Sequence, residues 1–393
     1  MASAPRRKLR SYATHACAFL LLSSLTALLA GCGNFFSCEG KASCPSTGTG
    51  TSTGSSTTDY AYIGNSSTGT TYVDGYTIGS GALTDTTSAP FSFTYTPASL
   101  VVTPANTFLY SATDSDLSTG YLYGYSIGTG GALSILASGK PLVSENITAL
   151  AVSPDGQWLF CLDANALTLE EYSINSSTGA VTFAATYGIT GATAGIVTPS
   201  GIAIAPTGDY LAVALGTGGA ETFSFDTTTG VAAAPTLISP ANAATGIYAV
   251  AIDANNYLYA AGTAGLQVFS TTSAGVPTLP GSTYSTGSGP RSIAINPAST
   301  FVYIGNQTDS TITAYAIGTN AALTAVSGSP FTAPSTISSL GVDSTGAYLV
   351  ASGYNAASGI NLYAISSTGT LTSKATAATN TSTAIPTPIA LTH

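Results

Sequence analysis

Pro290-Arg291-Ser292-Ile293-Ala294-Ile295-Asn296-Pro297-Ala298-Ser299-Thr300-Phe301-Val302-Tyr303-Ile304-Gly305-Asn306 reads as two short strands joined by a turn. Ser292 to Ile295 alternates small and branched apolar residues, and Phe301 to Ile304 is aromatic and β-branched. Between them Asn296-Pro297-Ala298-Ser299 supplies turn chemistry, with the proline presetting one backbone dihedral. The unit is a hairpin, and it recurs. Val102, Val152, Ile204, Ile252, Ile295 and Val342 are equivalent positions, separated by 50, 52, 48, 43 and 47 residues. A spacing of about 48 residues is near that of a propeller blade.

After each hairpin comes a second pair of strands. Leu122-Tyr123-Gly124-Tyr125-Ser126-Ile127 with Gly131-Ala132-Leu133-Ser134 is one example, and Ile312-Thr313-Ala314-Tyr315-Ala316-Ile317 with Ala321-Ala322-Leu323-Thr324 is another. Four strands per repeat make one blade. The two ends of the chain then give the blade count. Ile389-Ala390-Leu391 matches the first strand of the repeat with no second strand after it, whereas Tyr60-Ala61-Tyr62-Ile63-Gly64-Asn65 matches the second strand with no first strand before it. One blade shared between the termini closes a ring without a free edge. Six complete copies and one shared copy predict an all-β, seven-bladed propeller of four-stranded antiparallel blades over residues 59–393.

Composition fits that architecture. Charged residues are 6% of the 393, far below the ~25% of an ordinary soluble domain. Tyrosines number 22, histidines two and methionines one, a β-rich and helix-poor mixture. The formal charge of −9 becomes about −13 once Arg6, Arg7, Lys8 and Arg10 are set aside with the leader described next. Such a surface repels polyanions and argues against nucleic acid as a partner.

Residues 1–31 carry a basic start and then an apolar run from about Ala16 to Ala30, the pattern of a secretion signal. Leu29-Ala30-Gly31-Cys32 resembles the lipobox of bacterial lipoproteins, and the resemblance implies that Cys32 becomes the lipid-bearing first residue of the mature chain. Gly33 after it favours export to an outer membrane. Cys38 and Cys44 form a close pair without histidine or further cysteine beside it, which in an exported chain predicts a small disulfide loop rather than a metal site. Pro45 to Thr58 is almost wholly Ser, Thr and Gly, so residues 32–58 read as a lipidated cysteine and tether, the last fourteen spanning roughly 20 Å. Cys161 sits in an apolar strand and reads as buried filler.

The run Gly328-Ser329-Pro330-Phe331, then the inner strand, then Asn/Ser-Pro-x-Gly-x-Tyr-Leu-Tyr, then Tyr-x-Ile with Gly-x-Leu-Thr, resembles the YVTN-type and lactonase-like seven-bladed propellers. The resemblance covers residues 59–393. Enzymes of that family, typified by 6-phosphogluconolactonase, carry Gly-Pro-Arg-His before an inner strand and Asn-Glu after the next one. Here the matching stretches are Gly289-Pro290-Arg291-Ser292 and Asn306-Gln307. Arginine is kept; histidine and glutamate are replaced. Opening a lactone with water needs a group that accepts a proton near neutral pH, which a serine or a glutamine amide does not do.

Arg291, Ser292 and Gln307 are therefore weak catalytic candidates, with Arg291 able to hold a carboxylate or phosphate. Apart from His393 at the last position, no histidine follows the leader, which removes a Ser/His/Asp triad as a serious candidate. No spacing of His, Cys and carboxylates suggests a metal, and no cofactor is implied. The close acid pairs Asp114/Asp116 and Glu170/Glu171 read as loop and strand solvation. Two functions stay open: a monomeric, non-catalytic propeller, lipid-anchored in the cell envelope through Cys32, that binds a protein, glycan or small molecule; and a lactone hydrolase of the resembling family with an altered site. An envelope-assembly scaffold is a third.

Overall fold

The computed structural model describes residues 58–393 apart from 68–69, 80, 94–95, 114–119, 164, 192–200, 231–235, 239–245, 273–274, 279–282, 355–358 and 378–387. Cys32, Cys38, Cys44, the leader and tether, and the Asp114/Asp116 pair lie outside the described residues. Seven antiparallel sheets follow one another along the chain. Each of six runs through four consecutive strands, as in Pro290–Ile295, Phe301–Asn306, Thr311–Ile317 and Leu323–Ala325 of blade 6. Blade 1 takes Asp59–Ser67, Thr70–Gly79 and Ala82–Asp85 from one end of the chain and Ile389–Leu391 from the other.

That shared blade closes the ring. Ala61 pairs with Leu391, Tyr62 with Ala390 and Ile63 with Ile389. Beyond the ladder, the Thr392 N–H donates to the Tyr60 carbonyl at 3.0 Å, and the Tyr60 N–H donates to Thr392 Oγ1 at 2.7 Å. Asp59 adds a tie to blade 7, its Oδ2 accepting from the Ser344 N–H and hydroxyl.

The hairpin turns explain the recurring polar residue after each inner strand. Asn296 Oδ1 accepts from the N–H of Thr300 (2.8 Å) and of Phe301 (2.7 Å), fixing where the second strand starts. Asp343 does the same for Tyr348, Asp253 for Tyr257, Ser153 for Trp158 and Thr103 for Phe108. These are side chains mimicking a backbone turn. In three blades a glycine with φ between 70° and 74° follows, at Gly156, Gly208 and Gly346, where an L side chain would be strained.

Alternation along the second strand then sends successive residues to opposite faces of the blade. In blade 1, Tyr62 enters the apolar cluster shared with blade 2, while Ala61 and Ile63 enter the one shared with blade 7. Seven such clusters occur among the described residues, one between each pair of neighbouring blades. Each blade is thus insufficient alone and buries its two faces only in the ring.

Polar pins cross the same seams. Tyr62 donates to the Gly131 carbonyl at 2.9 Å, Tyr110 to Gly179 at 2.9 Å and Tyr303 to Gly369 at 3.0 Å. Each joins the second strand of one blade to the outer hairpin of the next. Trp158 makes the equivalent bond through its indole N–H to Thr227. An aromatic ring supplies the buried area, and its polar tip finds a partner at the far side.

Candidate active site at the channel mouth

The inner strands line the central channel, and they share one irregularity. Among the described residues, the ladder between inner and second strand slips by one residue at the same place in five blades, leaving Ala98, Thr148, Tyr248, Arg291 and Ser338 as bulged residues. A bulge turns a side chain that would otherwise obey the two-residue alternation, and so re-aims it. Ala98, Thr148, Arg291 and Ser338 all border one cavity of about 300 Å³ in the channel.

Arg291 is the cation of that cavity. Its guanidinium carbon stands 4.3 Å above the centroid of the Tyr248 ring. Tyr248 is the bulged residue of the preceding blade, so the same irregularity in neighbouring repeats builds a stacked pair. The ring attracts the guanidinium through its π face and so holds the charge beside the cavity.

Ser292 borders the same cavity, and its Oγ is buried without a hydrogen-bond partner. Ser99, Thr148, Ser338 and Ser339 also border the cavity, beside the one positive charge among its described wall residues, while the Ser292 Oγ itself packs against Gly305. Gln307 goes elsewhere. It follows the second strand of blade 6, its N–H donates to the Gly289 carbonyl at 2.8 Å, and it is not among the residues bordering the channel cavity. The structure brings together Arg291 and Ser292 of the three sequence candidates and adds Tyr248, which sequence reasoning missed. The signal existed: Tyr248 lies 43 residues before Arg291, one blade spacing.

A family model described as "Lactonase, 7-bladed beta-propeller" matches residues 221–338, the part of the chain that contains Tyr248 and Arg291. The chain is a lactonase-like seven-bladed propeller. Solved structures share the fold across nearly their whole length. A protein from Lactobacillus plantarum superposes with a TM-score of 0.67 at 18% identity, covering 86% of this chain and 99% of that one. A putative 6-phosphogluconolactonase from Bacteroides fragilis gives 0.66 at 14% identity over 86% and 99%. The periplasmic gluconolactonase of Pseudomonas aeruginosa gives 0.63 at 12% identity over 85% and 99%. No curated protein matches the sequence.

Among the described residues, no histidine or carboxylate borders the channel cavity. His393 is exposed at the end of the closing strand, where its backbone N–H donates to Asn106 Oδ1 at 2.8 Å; partial desolvation lowers its imidazole pKa. Asn106 belongs to the hairpin turn of blade 2, at the opposite end of the inner strands from the bulges.

Glu170 and Glu171 correct the expectation of solvation: they are 8% and 1% exposed. Glu170 accepts from the Tyr172 hydroxyl at 2.7 Å, and Tyr172 also reaches Glu145 at 3.3 Å. A hydrogen bond with Glu170 is the first cause, ahead of burial and of the Glu170 charge, that pushes the Glu145 carboxyl up to about 7. Glu145 therefore keeps its proton to a higher pH than a free carboxyl does. Cys161 lies opposite Glu170 in the ladder, fully buried, and burial raises its thiol well above the ordinary range. Glu171 faces the seam with blade 4 and accepts from Tyr187 at 2.9 Å, with burial raising its pKa. Glu145 and Glu170 are 25 residues apart, and no local pattern joins them.

Proposed function

We propose that this propeller takes a hydroxylated lactone, or the hydroxy acid to which it opens, in the channel mouth beside Arg291. The observation that carries the reading is the bulge-presented guanidinium, set against Tyr248 and bordering a cavity of about 300 Å³ with serine and threonine residues in its wall. The fold shared with the periplasmic gluconolactonase of Pseudomonas aeruginosa supports it. A fork of N–H donors suits the two oxygens of a carboxylate and equally the carbonyl oxygen of a lactone.

In the hydrolytic form of this reading, water adds to the lactone carbonyl carbon and the carbonyl oxygen takes up negative charge facing Arg291. The tetrahedral adduct then collapses, the ring C–O bond breaks, and the proton released by water ends on the departing ring oxygen. The product is the open hydroxy acid. No histidine or carboxylate borders the cavity among the described residues, so the chain contributes charge stabilisation, with water itself carrying the proton. One well-placed donor to an oxyanion is worth about 10²–10³ in rate. Binding without turnover is the second reading. It is favoured by Ser292 and Gln307 standing where the resembling enzymes carry histidine and glutamate.

The test is opening of glucono-lactone by the full-length protein, followed by pH-stat, beside calorimetry with gluconate. Hydrolysis above the spontaneous rate that Arg291→Ala lowers at least a hundredfold supports the enzyme. Gluconate binding without turnover, weakened about tenfold or more by Arg291→Ala, supports the binding module. Neither activity nor binding sinks both.

A further inference from the structure

A second cavity, of about 600 Å³, adjoins the first between blades 5 and 6. Thr263 and Gly265 border it from the blade 5 hairpin, Thr286, Ser288 and Pro290 from the loop leading into blade 6, and Asp309 from the turn beyond. Pro290 borders this cavity and the next residue, Arg291, borders the channel cavity, so both reach the start of the blade 6 inner strand.

The chemistry of the second cavity is opposite in sign. Its one charged wall residue is Asp309, which disfavours an anion. The carboxylate is already fixed, with Oδ2 accepting from the Ser288 N–H at 2.8 Å and Oδ1 from the Thr311 hydroxyl at 2.7 Å. Each oxygen keeps a further lone pair for an incoming donor. A Cβ on Gly287 would come within 2.5 Å of Asp309 Oδ2 and 2.7 Å of Asn306 Nδ2, so the bare glycine lets both side chains sit directly beneath the cavity wall.

Asn306 stands with Asp309 against Gly287. It is completely buried, and its Nδ2 donates to Thr311 Oγ1 at 3.0 Å and Thr313 Oγ1 at 2.9 Å. Its Oδ1 has no partner. Asn306 lies behind the cavity wall and does not border it, so Asp309 is the fixed acceptor that the wall presents. Serine and threonine walls with one fixed carboxylate call for a neutral ligand rich in O–H donors.

We propose that this cavity receives the neutral polyhydroxy part of a ligand whose acid or lactone end lies beside Arg291, which makes the ligand class an aldonic acid or lactone carrying a further sugar unit. The inference rests on the channel-mouth reading above and deepens it. Calorimetry on the full-length protein with gluconate and with cellobionate, the same acid extended by one glucose, separates the two. Cellobionate is expected to bind at least tenfold tighter, and Asp309→Asn to abolish that gain while leaving gluconate affinity within twofold. Thr286→Val serves the same comparison if Asp309→Asn lowers the melting temperature. Gluconate bound and cellobionate no tighter overturns the second cavity alone. A substitution that weakens both ligands equally overturns it as well, and binding of neither removes the channel-mouth reading beneath it.

Discussion

Replacing Thr392 by valine tests the closing seam with a nearly isosteric change. Thr392 is 3% exposed, and its Oγ1 is the acceptor of the Tyr60 N–H at 2.7 Å. Valine keeps the β-branched shape and the strand preference but removes the acceptor, so a backbone donor in a partly buried seam loses its partner. The penalty for such an orphan is about 1–3 kcal/mol, so we expect a loss of about 2 kcal/mol. Against a total stability of roughly 5–15 kcal/mol that is a measurable fraction. Urea unfolding followed by circular dichroism should show a lower midpoint with an unchanged slope, because the surface exposed on unfolding is the same. Thr392→Ser retains the hydroxyl and should recover most of the loss. Amide exchange at Tyr60 should accelerate in the valine variant before global unfolding does. If valine matches the wild type within ~0.3 kcal/mol, or serine is as damaging as valine, the terminal strand does not hold the ring in the way described.

Tyr303→Phe removes the hydroxyl that pins blade 6 to the Gly369 carbonyl, and about 1–2 kcal/mol should be lost in urea unfolding; an unchanged midpoint would mean the ring packing alone secures that seam. Glu145 carries a pH signature. Its carboxyl is raised from its ordinary 4.5 to about 7, so between those values the folded state keeps a proton that the unfolded chain releases. Its contribution is therefore complete below pH 4.5 and is lost as pH rises to 7, with a slope well under the ~1.4 kcal/mol per pH unit of a whole proton because the group is partly solvated. Glu145→Gln should flatten that part of the stability curve, and an identical curve in the variant would show that the carboxyl does not hold the proton.

How much of this was legible beforehand divides along a physical line. The strands, the seven blades and the closure were all written in the chain, because each depends on short-range alternation and on a spacing that repeats. Tyr60 to Asn65 without a first strand, and Ile389 to Leu391 without a second, could only be completed by each other. The site was half legible. Arg291 stood out as a cation in a nearly uncharged repeat, but its neighbours did not. Period-two alternation assigns a residue to one face or the other, and a one-residue bulge overrides that assignment. Only the ladder register shows that Tyr248 and Arg291 are both bulged, and only the ring brings adjacent blades close enough for ring and guanidinium to stack. Gln307 shows the reverse: its place in the motif suggested the site, yet the backbone bond to Gly289 leaves it outside the cavity wall. Glu145 and Glu170 meet through the folding of a loop onto the third strand of its blade, and Asn306 with Asp309 across a bare glycine. Sequence alone fixed which way the strands run and how many times; contact between repeats decided which polar groups share a space, because that depends on register and packing distance, which no local pattern encodes.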